Sequence, residues 1–184
     1  MKNVVVTGSV HVGKSTVCLK VVQWARCQGY QVRGIVTTPL YDPAGGRQGF
    51  EIHDLGCDEH RILARVDCDW KGPQAGPFHF DPAALRWGEQ IVERALGEGC
   101  ELLVVDEIGR LELEQASGFQ RLLPLLASAV VPHKLIVVRD TLLDAFRKRV
   151  PTSHFSAFDV TAENRDSVPG EIIDFLFAST LSRH

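Results

Sequence analysis

The stretch Gly8-Ser9-Val10-His11-Val12-Gly13-Lys14-Ser15-Thr16 constrains this chain more than any other, because it fits GxxxxGK[ST] directly behind the apolar run Val4-Val5-Val6. Glycines let the backbone curl so that successive N–H groups point inward, at the positive end of the helix that follows. This is the spacing of a phosphate-binding P-loop, and Val17, Val21, Val22 and Ala25 supply one apolar face for that helix. Every residue from Gly8 to Thr16 is therefore a candidate nucleotide contact. Lys14 is expected to reach the β- and γ-phosphates, and Ser15 to place its hydroxyl on a Mg2+ ion.

Strand and helix signals alternate along the rest of the chain. Gln31–Thr38 is a β-branched strand, and the turn Asp42-Pro43-Ala44-Gly45-Gly46 sends the chain back along Gln48–Leu55 as an antiparallel arm. Gly56–Pro77 is expected to be a loop with one short strand near Arg61–Val66, long enough to cover a nucleotide. A helix opens at Asp81-Pro82 with Ala84, Gly88, Ile91, Val92 and Ala95 on one face. Glu101–Asp106 and Lys134–Arg139 are nearly continuous apolar runs, as buried parallel strands are. Between them a helix containing Phe119, Leu122, Leu123 and Leu126 is expected, bent at Pro124. A helix over Thr141–Arg149, a strand over Phe155–Val160 and a helix from Pro169 complete the pattern. The expected fold is α/β: a mainly parallel twisted sheet with helices on both faces, an antiparallel hairpin arm, and the ligand at the strands' carboxyl ends.

The run Leu102–Val105 ends in Asp106 and Glu107. In P-loop proteins an acid at such a strand end holds magnesium, which is the role expected of Asp106. A second carboxylate beside it can orient and deprotonate a water aimed at the γ-phosphate, which makes Glu107 the candidate base.

At this point the chain resembles the small P-loop nucleoside triphosphatases of the THEP type, also called cancer-related nucleoside triphosphatases. The resemblance spans nearly the whole length. It rests on the P-loop, on Gly45-Gly46-Arg47-Gln48-Gly49-Phe50, on Val105-Asp106-Glu107-Ile108-Gly109-Arg110-Leu111-Glu112-Leu113, and on Val160-Thr161-Ala162-Glu163-Asn164-Arg165-Asp166. It implies slow, magnesium-dependent hydrolysis of the terminal phosphate of several nucleoside triphosphates: ATP and GTP, with CTP and UTP as further candidates. Where that family usually carries acidic residues after the second-strand threonine, this chain has Thr38-Pro39 after Thr37.

Further candidates keep two meanings each. Arg110 can stabilise the γ-phosphate or simply begin a surface loop. Arg139 ends a strand where P-loop enzymes place a polar phosphate sensor, or else pairs with Asp140 or Asp144. Asn164 and Arg165 follow the last strand and can contact a base, the amide at its edge and the guanidinium over its ring; the other reading is helix capping.

Composition bounds the alternatives. With 184 residues, 45% of them hydrophobic, the chain is read as one domain over 1–184. Lys plus Arg is 20 against 23 Asp plus Glu, a net charge of -3, which argues against nucleic acid or anionic lipid as a partner. Met1-Lys2-Asn3 runs straight into a strand and no apolar run approaches a membrane span, so a soluble cytoplasmic protein is expected. The five cysteines contain no CxxC pair, and the ligand types His53, Cys57, His60 and Cys68 match no familiar zinc spacing. Two other functions compete with hydrolysis: a kinase, which needs an acceptor pocket, and a nucleotide-binding adaptor in cofactor assembly.

Overall fold

The computed structural model describes residues 2–57, 59–127, 131, 133–150 and 155–181, without the side chains of residues 107 and 179–181. The chain opens with β1 (Lys2–Thr7), α1 (Lys14–Cys27), β2 (Val32–Tyr41), β3 (Arg47–Asp54) and β4 (His60–Arg65). The short strands β5 (Gln74–Ala75) and β6 (Phe78–Phe80) come next, then α2 (Pro82–Glu98), β7 (Leu102–Ile108), α3 (Arg110–Leu113) and α4 (Leu122–Leu126). After β8 (His133–Val138), a 3-10 turn over Asp140–Leu142 leads into α5 (Leu143–Arg149), and β9 (Phe155–Asp159) and α6 (Val168–Leu181) finish the fold.

Among the described residues, all the strands join one sheet in the order β5-β6-β4-β3-β2-β7-β8-β1-β9. From β2 to β9 the pairing is parallel, and from β2 outward to β5 it is antiparallel. Alternation along β7 shows why both faces are covered. Leu102 and Val104 pack with Val17, Val21 and Phe177 of α1 and α6, whereas Leu103 and Val105 pack with Ile91, Val92 and Leu122 of α2 and α4. Leu102 to Val105 are all 0% exposed, which is why the strand is apolar throughout.

Two sequence expectations are corrected. The short strand expected near Arg61–Val66 is present as β4, paired to β3, but the rest of Gly56–Pro77 is not all loop: β5 pairs with β6, just beyond Pro77, and β6 pairs with β4. β5 and β6 have two and three residues and are part-exposed, so no apolar run marks them. The turn into β4 is fastened by the buried carboxylate of Asp54, which accepts from Gly56 N–H (2.6 Å), Cys57 Sγ (3.3 Å) and Arg94 Nη2 (2.6 Å). The single helix expected around Phe119 is two short ones, with Phe119 between them. Ala116 (φ 51) and Gly118 (φ 60) are left-handed, which interrupts the helical path before Pro124 is reached. Among the described residues no helix is long and apolar enough to cross a membrane.

Candidate active site

Four strand ends meet at the carboxyl edge of the parallel strands. Register aligns Thr7 of β1 with Asp159 of β9, and Val6 with Val137 of β8, while Ile108 of β7 lies beside Val138. The P-loop leaves β1, the acidic pair closes β7, Arg139 follows β8, and the Asn164–Arg165 loop follows β9. Parallel α/β sheets bind their ligands at this edge.

The loop itself is fixed by its glycines. Gly8 has φ 140 and lies so close to Val160 that a Cβ would stand 2.4 Å from that carbonyl oxygen, a contact only glycine allows. Gly13 (φ 109) then turns the chain into α1, and its carbonyl accepts the first helical bond from Val17 N–H at 2.9 Å. Lys14 is buried, and its ammonium donates to Gly8 O at 3.0 Å and Ser9 O at 2.7 Å, inside the curl where phosphate oxygens belong. Asp140 N–H reaches back to Gly8 O at 3.4 Å, tying the loop to the end of β8.

Asp106 is 0% exposed and lies on the α1 side of the sheet by alternation from Val104. Cys18, one turn along α1 from Ser15, reports its proximity. Burial pushes the Cys18 thiol well up from its ordinary range, and the negative charge of Asp106 pushes it further. Ser15 and Asp106 thus offer a hydroxyl and a carboxylate from facing elements. Such hard oxygen donors fit Mg2+. The ladder with β8 slips between Val105 and Ile108, and Ile108 packs on the same side as Val105 rather than Val104. One extra residue is therefore accommodated at Asp106-Glu107, a bulge of the kind often found beside active sites. The side chain of Glu107 lies outside the described residues.

Arg139 lines the P-loop cavity, a space of about 220 Å³ that also takes in Lys14, Ser15, Thr37, Tyr41 and Arg47. Asp144, one of its expected partners, stands 3.7 Å from Arg147, and Asp140 accepts from Thr141 N–H at 2.7 Å. Arg110 is not brought into this cavity. It begins α3 with its side chain 64% exposed, 3.7 Å from Glu114.

The loop after β9 divides its two candidates. Asn164 Oδ1 accepts from Thr161 N–H at 2.8 Å and Nδ2 donates to Asp159 O at 2.8 Å, so both ends of the amide brace the loop. Ser167, directly before α6, bonds Asn164 O and Glu171 Oε1, each at 3.1 Å. The geometry matches the capping and loop-bracing reading for Asn164. Arg165 is exposed, and its Cδ would lie 3.8 Å from a Cβ at Gly13, so its stem runs over the P-loop.

Two residues had no role assigned from the sequence. Arg47, at the start of β3, crosses from the hairpin to the P-loop and donates to His11 Nδ1 at 2.7 Å. Because a guanidinium only donates, the accepting Nδ1 carries no proton. Arg47 also lies over the rings of Tyr41 (5.9 Å) and Phe50 (5.4 Å). Glu112 is 4% exposed and clamps the turn after β7: Oε2 accepts from Gly109 N–H and Oε1 from Phe119 N–H, both at 2.8 Å. Both residues lie in the family-like blocks, but their partners are distant in sequence or hidden in the backbone. Of the ligand-type cluster, His53 shares a 2.8 Å hydrogen bond with Thr38 Oγ1 and stacks on His60 at 5.3 Å.

Residues 3–173 match the model of a family described as NTPase. The chain belongs to that family. It is 36% identical over 179 residues to the nucleoside-triphosphatase THEP1 of Methanosarcina acetivorans, covering 94% of this chain and 95% of that protein. With the THEP1 of Methanopyrus kandleri it shares 33% over 175 residues, covering 94% and 93%. Two solved structures share the fold. THEP1 from Aquifex aeolicus gives a TM-score of 0.73 at 21% identity, over 95% of this chain and 98% of that one. A human cancer-related nucleoside triphosphatase gives 0.74 at 23% identity, over the full length of both.

Proposed function

We propose that this member of the NTPase family is a Mg2+-dependent nucleoside triphosphatase that removes the terminal phosphate of ATP, GTP and, by the same contacts, CTP and UTP. The observation that carries the reading is the position of Lys14 and Ser15 at the opening of α1, lining the P-loop cavity, with the buried Asp106 on the α1 side of the sheet near the end of β7. Ser15 and Asp106 would hold the metal, which when bound supplies charge neutralisation to the β- and γ-phosphate oxygens. Lys14 turns its ammonium from the loop carbonyls to those oxygens, and the loop N–H groups hold the chain of phosphates in place. Glu107 orients a water. As the water oxygen bonds to the γ-phosphorus, the bond from that phosphorus to the β–γ bridging oxygen breaks and Glu107 takes the water's proton. Arg139 and Arg47, both on the cavity wall, stabilise the charge spread over the transferred group.

Weak base preference follows from the loop after β9. With the Asn164 amide spent on its own backbone, Arg165 is left to stack on a ring, and every base offers a ring face. Turnover is expected on the order of 10⁻² per second or below, as for P-loop proteins whose arginine comes from their own chain. Phosphate release from the four triphosphates, with and without Mg2+, tests the reading. Lys14→Ala should weaken triphosphate binding roughly tenfold to a hundredfold, the value of a charged hydrogen bond. Unchanged affinity in a variant that melts like the parent would end the P-loop assignment.

A further inference from the structure

The antiparallel side of the sheet builds a second cavity beside the first. It measures about 310 Å³, within the range of small-molecule sites, and shares Arg47, Phe50 and Arg139 with the P-loop cavity. Beyond that common wall its lining is different. Phe78 and Phe80 of β6 and Phe119 beyond α3 join Phe50 to give it four aromatic rings, with Phe50 and Phe78 meeting edge-on at 4.9 Å. Among the described residues, none from the loop after β9 lines it. A triphosphate whose base lies toward Arg165 therefore presents its γ end, not its base, to this space.

The charge is one-sided. Arg110 lines this cavity and not the P-loop cavity, and it is presented there by the turn that Glu112 clamps. The Glu112 oxygens already accept two backbone N–H groups, whereas the Arg110–Glu114 contact, exposed and 3.7 Å long, is the kind that an incoming anion displaces. Flat aromatic walls favour a flat ring system by edge and face contacts, and a guanidinium at the rim favours a carboxylate, sulfonate or phosphate on that ring.

We propose that this cavity is a second ligand site, for a small aromatic molecule bearing one anionic group, occupied together with the nucleotide and against the end of the triphosphate that is cleaved. The proposal rests on the triphosphate lying in the P-loop as described above. It also supplies the pocket beside the γ-phosphate that a phosphoryl acceptor or a rate-setting ligand would need.

The probe is 1-anilinonaphthalene-8-sulfonate, an aromatic sulfonate that fluoresces when removed from water. Because such dyes also bind loosened cores, the full-length protein is titrated under conditions where it melts cooperatively. One saturable site per chain is expected, retained with saturating Mg2+ and a non-hydrolysable ATP analogue. Phe78→Ala and Arg110→Ala should each weaken the probe at least tenfold, with Arg110→Lys recovering part of the loss. Lys14→Ala should bind the probe like the parent while binding the analogue roughly tenfold to a hundredfold more weakly, so failure of the P-loop reading is seen separately. Displacement of the probe by the analogue, absence of stoichiometric binding, or undiminished binding in both Phe78→Ala and Arg110→Ala would overturn the proposal. Arg110 is exposed, so its variants test the site even if Phe78→Ala does not fold.

Discussion

The five parallel strands and the four antiparallel ones share one sheet, yet different forces hold them in place. In β7, β8 and β1 the apolar residues are buried from both faces, between α1 and α6 on one side and α2, α4 and α5 on the other. The antiparallel strands have α2 on one face and keep residues such as Ile62, 40% exposed, at the surface. One face contributes Ile52 and Leu63 to the α2-side core, and hairpin register and polar fasteners such as Asp54 with Arg94 hold the rest. A rigid half suits the groups proposed to hold metal and phosphate, which must keep fixed distances. The lightly packed half is suited to shaping a wall whose ligand can differ.

The largest effect expected from this division lies in the chemistry, on the parallel half. Glu107→Gln keeps the shape and removes the base, so kcat should fall roughly 10²- to 10⁴-fold with nucleotide affinity nearly kept. Asp106→Asn should lose activity that added Mg2+ partly restores, a rescue not expected for Glu107→Gln. Steady-state phosphate release over a Mg2+ series separates the two, and parental turnover by Glu107→Gln would remove the base from the parallel half.

Stability gives the next largest contrast. Leu103→Ala in β7, at a position 0% exposed, should cost about 2–5 kcal/mol, the range for a buried leucine that leaves a cavity. Ile62→Ala in β4 should stay within about 0.5 kcal/mol, as surface substitutions usually do. Urea denaturation of both variants reads the difference directly. Equal losses would mean that the outer face of β4 is packed as tightly as the interior of β7.

The smallest effect concerns pH. In the unfolded chain the Cys18 thiol ionises near pH 8.5, as free cysteine does, to within about a unit. In the fold, burial and then Asp106 hold it protonated to higher pH. Its contribution is therefore complete below the unfolded pKa and falls away as pH rises above it, by at most about 1.4 kcal/mol per pH unit. Denaturation of parent and Cys18→Ala between pH 7 and 10 should show the steeper loss in the parent. Parallel slopes would mean that the fold does not hold the Cys18 thiol protonated.

Legibility in the sequence follows the same boundary. The P-loop, the apolar runs of β7 and β8, and the Asp81-Pro82 helix start were all visible, because buried strands and caps leave contiguous or periodic signals. The first hairpin was visible through its turn, where Asp42 accepts from Ala44 and Gly46 N–H at 2.9 and 2.7 Å. Strands of two and three residues leave almost none. For β5 and β6 the available signal was the alternation Phe78-His79-Phe80 with Gly76-Pro77 before it, easily taken for loop composition. Within the site, Lys14, Ser15, Asp106 and Arg139 were legible from position relative to strand ends. Arg47 was not, because its importance comes from a hairpin folding back 36 residues onto His11. Asn164 could be read two ways until its amide was seen bonded at both ends.

Placing β8 between β1 and β7 has a consequence of scale. Neighbouring strands stand about 4.8 Å apart, so the strand that carries the lysine loop and the strand that carries the acids are separated by about 9–10 Å. That width is fixed by backbone hydrogen bonding and not by any side chain, and it suits a phosphate group together with its cation. Point mutations can recharge the walls of such a slot, but they cannot narrow it while β8 stays paired on both sides. The ruler of this site is a whole strand, and Arg139 stands at its end, facing the middle of the slot's span.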